Sequence, residues 1–214
     1  MSDPATGLLA RLASSVVWRA LSSVWGRFQR PSYQLKRAPE NIFLHLRPHT
    51  SLATAREILG TPIREYANRQ SFRFSDAFIQ IGVTEDKAIS YVCLVIPRVT
   101  RRTTFRVYPL HFVLGKSTMK DASWGEEPSY EFDNSSKHWQ VWTKQYFGYY
   151  GNYLHYAFGV LGAPNVTETP IRWNKGEDNV DPIIQSPPNE IVPNMVWVSS
   201  EKDFHPSFDF WAFH

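Results

Sequence analysis

Between Ala77 and Ile96 the chain holds two apolar runs joined by Thr84-Glu85-Asp86-Lys87, and this pattern restricts the fold more than any other feature. Phe78, Gln80 and Gly82 alternate with Ile79, Ile81 and Val83, so a strand here sends one set of side chains to each face. Four polar residues between two such runs predict a β-hairpin, and the alternation predicts one wet and one dry face. Phe72-Arg73-Phe74 leads into the first run as further strand material.

Strand character continues downstream. Aromatic residues make up 15% of the chain, mostly after residue 104, and such enrichment favours half-buried strands over helices. Strands are expected over Thr104 to Leu114, His138 to Phe147, Tyr153 to Leu161 and Met195 to Ser199. Gly148-Tyr149-Tyr150-Gly151-Asn152 is expected to turn tightly between two of them. Residues 116–137 are polar and predict a loop with a short helix near Ser117. From Gly162 to Pro193, six prolines with acids between them also predict loop. Five aromatics in the eleven residues from Phe204 to His214 would not stay in water, so this tail is expected to pack on the sheet or on a partner. A short helix fits Ser51 to Leu59, with Thr50 or Ser51 as N-cap and Gly60 then Pro62 as the stop. The single cysteine, Cys93, excludes an internal disulfide and lies in an apolar run, where it reads as an inert core residue. The expected fold class is α+β: a twisted antiparallel sheet flanked by short helices, preceded by a separable N-terminal amphipathic helix. The expected division is 1–30 helix, 31–39 proline-bounded linker, 40–200 aromatic-rich domain and 201–214 aromatic tail.

The first thirty residues differ from the rest. From Thr6 to Arg30 there are four arginines and no acid. On a helical wheel Val17, Leu21 and Phe28 fall on one broad apolar face, while Arg11, Arg19 and Ser residues occupy the other. Trp18 and Trp25 fall at the border, where the headgroup region of a bilayer suits an indole. Arg19 interrupts the centre of a would-be span, and the basic start, unbroken apolar run and cleavage site of a secretory signal are missing. Val17, Trp18, Leu21, Trp25 and Phe28 are therefore expected to insert into an interface, with Arg11, Arg19 and Arg27 drawing it to anionic headgroups. Packing on the chain's own domain or on a second subunit is the other arrangement, and a transit peptide would share this composition.

Charge is uneven along the chain although the net value is only +3. Residues 1–50 hold seven Lys/Arg against two Asp/Glu, residues 51–106 nine against five, and residues 107–214 seven against thirteen. Either one face is positive toward a membrane or polyanion, or the two halves attract each other within the fold. Arg98, Arg101, Arg102 and Arg106 form a cluster after the hairpin, near Tyr91, Phe105 and Tyr108. Arginine forks suit phosphate and aromatic faces suit bases, so this cluster is the candidate anion site, for lipid headgroups or for a nucleotide or nucleic acid.

Signs of catalysis are sparse. Of seven histidines only His45 and His49 lie close, and Pro48 breaks the helix that would align them. No cysteine pair, His-Glu-x-x-His, Gly-x-Ser-x-Gly elbow or phosphate loop is found. Acid pairs such as Asp178 with Asp181, or Asp203 with Asp209, lie in loops and read as solvated charge. No catalytic residue, metal site or cofactor is therefore expected.

The order of a short helix ending at Glu57-Ile58-Leu59-Gly60-Thr61-Pro62 and a following hairpin resembles the α-α-β-β unit of the outer-membrane assembly lipoprotein and the β-lactamase-inhibitory proteins. Three motifs, Leu59-Gly60-Thr61-Pro62, Leu114-Gly115-Lys116-Ser117-Thr118 and Phe147-Gly148-Tyr149-Tyr150-Gly151-Asn152-Tyr153, resemble the bacterial ETEC-type domain family over about residues 40–200. That family often follows a membrane-associated N-terminal segment and carries no established activity, so the resemblance implies an arrangement and transfers no site residues. The chain departs from the secreted relatives in lacking a lipobox cysteine. The function expected is a membrane-peripheral binding or interaction module without catalysis, on the cytoplasmic side of a bacterial inner membrane. Its partner would be an anionic membrane surface or a protein, and a homo-oligomer is compatible. The alternatives are a soluble cytoplasmic sensor or effector subunit binding nucleotide or nucleic acid through Arg98 to Arg106, and a structural subunit docking its N-terminal helix on a neighbour.

Overall fold

The computed structural model describes residues 36–124, 126–134, 138–149, 152–164, 166, 171–174 and 183–213. The expectations placed on residues 1–30, including Arg11, Val17, Trp18, Arg19, Leu21, Trp25, Arg27 and Phe28, lie outside the described residues. Residues 36–214 form one compact unit.

Local signals explain most of the elements. Helix α1 (Ile42–His45) ends before Pro48. Helix α2 (Leu52–Leu59) starts at Ser51, whose side chain accepts from the Thr54 amide, and stops at Gly60, whose φ of 86° suits a residue without Cβ. Four strands follow: β1 (Arg64–Tyr66), β2 (Arg69–Arg73), β3 (Phe78–Val83) and β4 (Ile89–Val95). The stretch expected as one strand from Thr104 to Leu114 is instead a separate two-stranded hairpin, β5 (Phe105–Val107) with β6 (Phe112–Leu114). Pro109 explains the break, because a residue without an N–H cannot sustain a ladder there. Gly115 closes this hairpin at φ 81°, and a Cβ there would meet the Thr103 carbonyl oxygen at 2.6 Å.

Helix α3 (Met119–Ala122) is closed by a capping box between Thr118 and Asp121. The segment expected as loop beyond it contributes a strand, β7 (Glu131–Asn134). Strands β8 (Trp139–Tyr149) and β9 (Asn152–Gly162) pair along their full length. The proline-rich stretch contains a small pair, β10 (Trp173–Asn174) with β11 (Ile183–Ile184), and β12 (Met195–Ser199) follows.

Eight of these strands make one antiparallel sheet in the order β1-β2-β3-β4-β12-β9-β8-β7. Strand β12 is central although only five residues long. It is seated by Asn194, fully buried, whose amide accepts from the Leu161 amide N–H (2.8 Å) and donates to the Leu161 carbonyl (3.0 Å). The Asn194 carbonyl also accepts from the Ile96 amide, so one residue joins the edges of β4 and β9.

The middle of the sheet is buried on both faces, which corrects the expectation of one wet face for the β3–β4 hairpin. On the first face Ile79, Ile81, Leu94, Val196, Phe158 and Val160 pack under α1, α2, α3 and the β5–β6 hairpin, with the Phe112 and Phe158 rings 4.3 Å apart. On the second face Phe78, Cys93, Val95, Trp142, Met195 and Trp197 pack under the C-terminal tail through Phe204, Phe208, Phe210 and Phe213. The alternation of β3 is real, but the set Phe78 and Gln80 meets the tail rather than water. Lys36 to Pro39, the end of the proline-bounded arm, are also held on this unit: Ala38 is buried and its amide donates to Asp76, which pairs with Arg37 at 2.9 Å.

Candidate functional site

The first candidate, the arginine cluster, keeps its side chains in solvent. Arg98, Arg101 and Arg102 lie in the β4–β5 loop and Arg106 lies on β5; all four are exposed. A turn closed by the Thr103 amide on the Thr100 carbonyl (3.1 Å) and by a Thr100–Thr103 hydroxyl contact (2.7 Å) puts Arg101 and Arg102 at its corners. Arg37 donates to the Arg102 carbonyl, which fastens this loop to the arm. The Arg106 guanidinium lies 5.8 Å from the Tyr108 ring centre and donates to the Tyr108 hydroxyl at 3.4 Å. These are cations presented outward from a fixed loop.

A groove of about 620 Å³ lies elsewhere, on the second face of the sheet near the β8–β9 turn. That volume falls within the range of roughly 300–1,000 Å³ typical of small-molecule sites. Lys144, Gln145, Tyr146, His155, Lys202, Asp203 and Phe204 line it. The hairpin register creates its floor. Tyr146 is opposite His155 and Tyr153 is opposite Gly148, so three rings share one face. Tyr146 stacks on His155 at 4.5 Å and on Tyr153 at 5.2 Å, yet the two tyrosines remain 53% and 46% exposed. The β12–tail turn brings Lys202 and Asp203 over this floor. Lys144 pairs with Glu131 at 2.9 Å and lies 5.6 Å from the Phe204 ring centre.

Burial first, and then the Lys202 ammonium, hold the His155 pKa below its ordinary value, so the imidazole is neutral at pH 7. Together these groups offer stacking faces, phenol hydroxyls and a lysine amine, which can hold a planar or anionic small molecule.

A second groove of about 410 Å³ lies between α2 and the β1–β2 and β3–β4 turns. Two of its charges are matched to each other. Arg56 pairs with Glu65 at 2.9 Å, and Gln70 bridges both, accepting from Arg56 and donating to Glu65. This network reads as scaffold.

Sequence reasoning missed Tyr146, Tyr153, His155 and Lys202 as a set. The alternation of β8 and β9 carried a signal for the first three, but the approach of Lys202 depends on where β12 sits. Cys93 is fully buried and desolvation pushes its thiol up, so it is held as a thiol. Among the described residues no group of three or more His, Cys, Asp or Glu is placed to hold a metal ion, and no helix is long and apolar enough to cross a membrane.

The three motifs of the family resemblance fall at turning points of the chain. Leu59-Gly60-Thr61-Pro62 ends α2, Leu114-Gly115 ends β6, and Phe147 to Tyr153 spans the β8–β9 connection, where residues 150 and 151 lie outside the described residues. No family model, no curated protein and no solved structure matches the chain.

Proposed function

We propose that the chain is a membrane-peripheral binding module, a recognition protein and not a catalyst. Residues 6–30 attach it to an anionic membrane surface, and residues 36–214 present a binding domain. The observation that carries this reading is the sequence from Thr6 to Arg30, with four arginines, no acid and tryptophans that fall at the border of the apolar side on a helical wheel. Exposed Arg98, Arg101, Arg102 and Arg106 support it with a second cationic patch. A basic residue near an anionic surface contributes about 1 kcal/mol, and two weak membrane signals combine where one fails. The cytoplasmic side of a bacterial inner membrane and kinship with the ETEC-type family belong to the same proposal.

The test is sedimentation of full-length protein with phosphatidylglycerol-containing vesicles against pure phosphatidylcholine vesicles. Wild type is expected to sediment with the anionic vesicles and to be released by salt, while R11E/R19E/R27E stays in the supernatant. Equal sedimentation of the two proteins overturns the reading in favour of a helix that docks on protein. The second reading is nucleotide or nucleic-acid binding through the arginine loop, favoured by the Arg106 guanidinium over the Tyr108 ring. It requires a salt-sensitive association that survives R11E/R19E/R27E and disappears in R101E/R102E.

A further inference from the structure

We infer that the second face of the sheet is a docking surface for an extended partner segment with aromatic side chains at alternate positions, and that the C-terminal tail is its resident occupant. Three observations carry this. First, burial along the tail alternates: Phe204, Pro206, Phe208 and Phe210 are buried, His205, Ser207 and Trp211 are exposed and Asp209 is intermediate. An extended segment laid flat on a sheet has that period over Phe204 to Asp209, after which Phe210–Phe213 wind into a single 3-10 turn, and docking extended peptides by alternate side chains is an established recognition mode. Phe213 ends the segment, stacked on Phe78 at 4.7 Å and on Phe208 at 5.2 Å.

Second, the tail is clasped and not woven in. Gln140 donates to the Pro206 carbonyl (2.7 Å), Arg73 donates to the Phe213 carbonyl (3.0 Å), and the Asp209 amide donates to Gln80 (3.4 Å). Each of these bonds reaches a sheet side chain, so an incoming backbone can take the same three positions.

Third, the tail leaves polar atoms beneath it without partners. Trp142 Nε1, beside the His205 ring, and Trp197 Nε1, beside the Phe204 ring, are sealed from water and unpaired, as are the Tyr91 hydroxyl, next to Trp197, and Gln140 Oε1, whose amide nitrogen donates to Pro206. Trp142, Trp197 and Gln140 are at most 2% exposed. A desolvated donor without an acceptor is a standing penalty on the closed state. A partner segment that sets carbonyl or carboxylate oxygens over the two indoles removes it, whereas the tail sets the His205 ring against Trp142 and the Phe204 ring against Trp197. The face thus favours an acceptor-bearing aromatic peptide over its own occupant.

This deepens the binding-module proposal by naming a partner surface, and it does not depend on lipid attachment, so vesicle sedimentation and peptide binding can fail separately. The test titrates full-length protein into a fluorescein-labelled peptide of residues 201–214, read by anisotropy. Wild type is expected to bind weakly, because its own tail competes at an effective concentration on the order of millimolar. Phe208→Ala in the chain, with the peptide unchanged, raises peptide affinity at least about tenfold, which disruption of the docking face would not do. A scrambled peptide stays unbound. Phe213→Ala, at the end of the tail, is the milder variant and must move affinity in the same direction. Equal affinity for wild type and both variants, or equal binding of the scrambled peptide, overturns the inference. Conversion of Phe208→Ala to a dimer with exchanged tails overturns the partner assignment in favour of a second copy of the chain.

Discussion

The same eight strands present two faces that are closed in different ways. The first is covered by α1, α2, α3 and the β5–β6 hairpin, each with hydrogen bonds of its own. The second is covered by a tail that is extended to Asp209, ends in a single 3-10 turn at Phe210–Phe213, and has its backbone held to the sheet by sheet side chains. Burial is similar: Phe158 on the first face is fully buried and Phe213 on the second is 4% exposed. The difference lies in what must come apart. Opening the first face disrupts helices and a hairpin together, whereas opening the second releases one segment that lies outside the sheet ladder, which belongs to the low-stability part of the opening spectrum.

That contrast can be broken by matched truncations. Phe158→Ala should destabilise the fold by about 4 kcal/mol, as a cavity in a core fixed on all sides. Phe213→Ala should lose only about 2 kcal/mol, because a segment held by a few sheet side chains can relax around the gap. Urea unfolding of the two variants checks both values, and equal losses would show the tail to be as integral as the helical cover. The contrast sharpens at Ser51, which caps α2 over the first face. Ser51→Ala should lose about 1 kcal/mol by leaving the Thr54 amide without its acceptor, measured in the same way.

The smallest effect belongs to His155, beside the turn that leads into the tail. Burial and Lys202 lower its folded pKa, while the unfolded value stays near 6.5. Below that value the unfolded chain therefore takes up the proton more readily. His155 contributes stability above about pH 6.5, and this is lost as pH falls through the folded pKa. In His155→Gln the slope of stability against pH over this window should flatten, measured by thermal unfolding from neutral to mildly acidic pH.

Much of the fold was legible in the chain. The α2 boundaries follow from Ser51 and Gly60, and the β3–β4 hairpin follows from alternation around a polar turn. The β8–β9 hairpin follows from aromatic runs around Gly148 to Asn152, with pairing from Trp139–Gly162 to Tyr149–Asn152. Less of the candidate site was legible. The arginine cluster was visible as four cations close in sequence, and those side chains are exposed as charged groups without buried partners tend to be. The Tyr146, Tyr153 and His155 floor needed the register of β8 against β9, and Lys202 needed the path of β12.

Periodicity, caps and turns act within a few residues, so the sequence alone determined where most strands and α2 lie and that Cys93 is in the core. Pairing across long separations is a choice among many apolar surfaces, and only the tertiary structure makes it. Met195 pairs with Val95, a hundred residues earlier, and so a five-residue strand becomes the centre of the sheet. The same step turns β12 back across the second face, carries Phe204 to Phe213 over it, and makes both sides of an alternating strand dry.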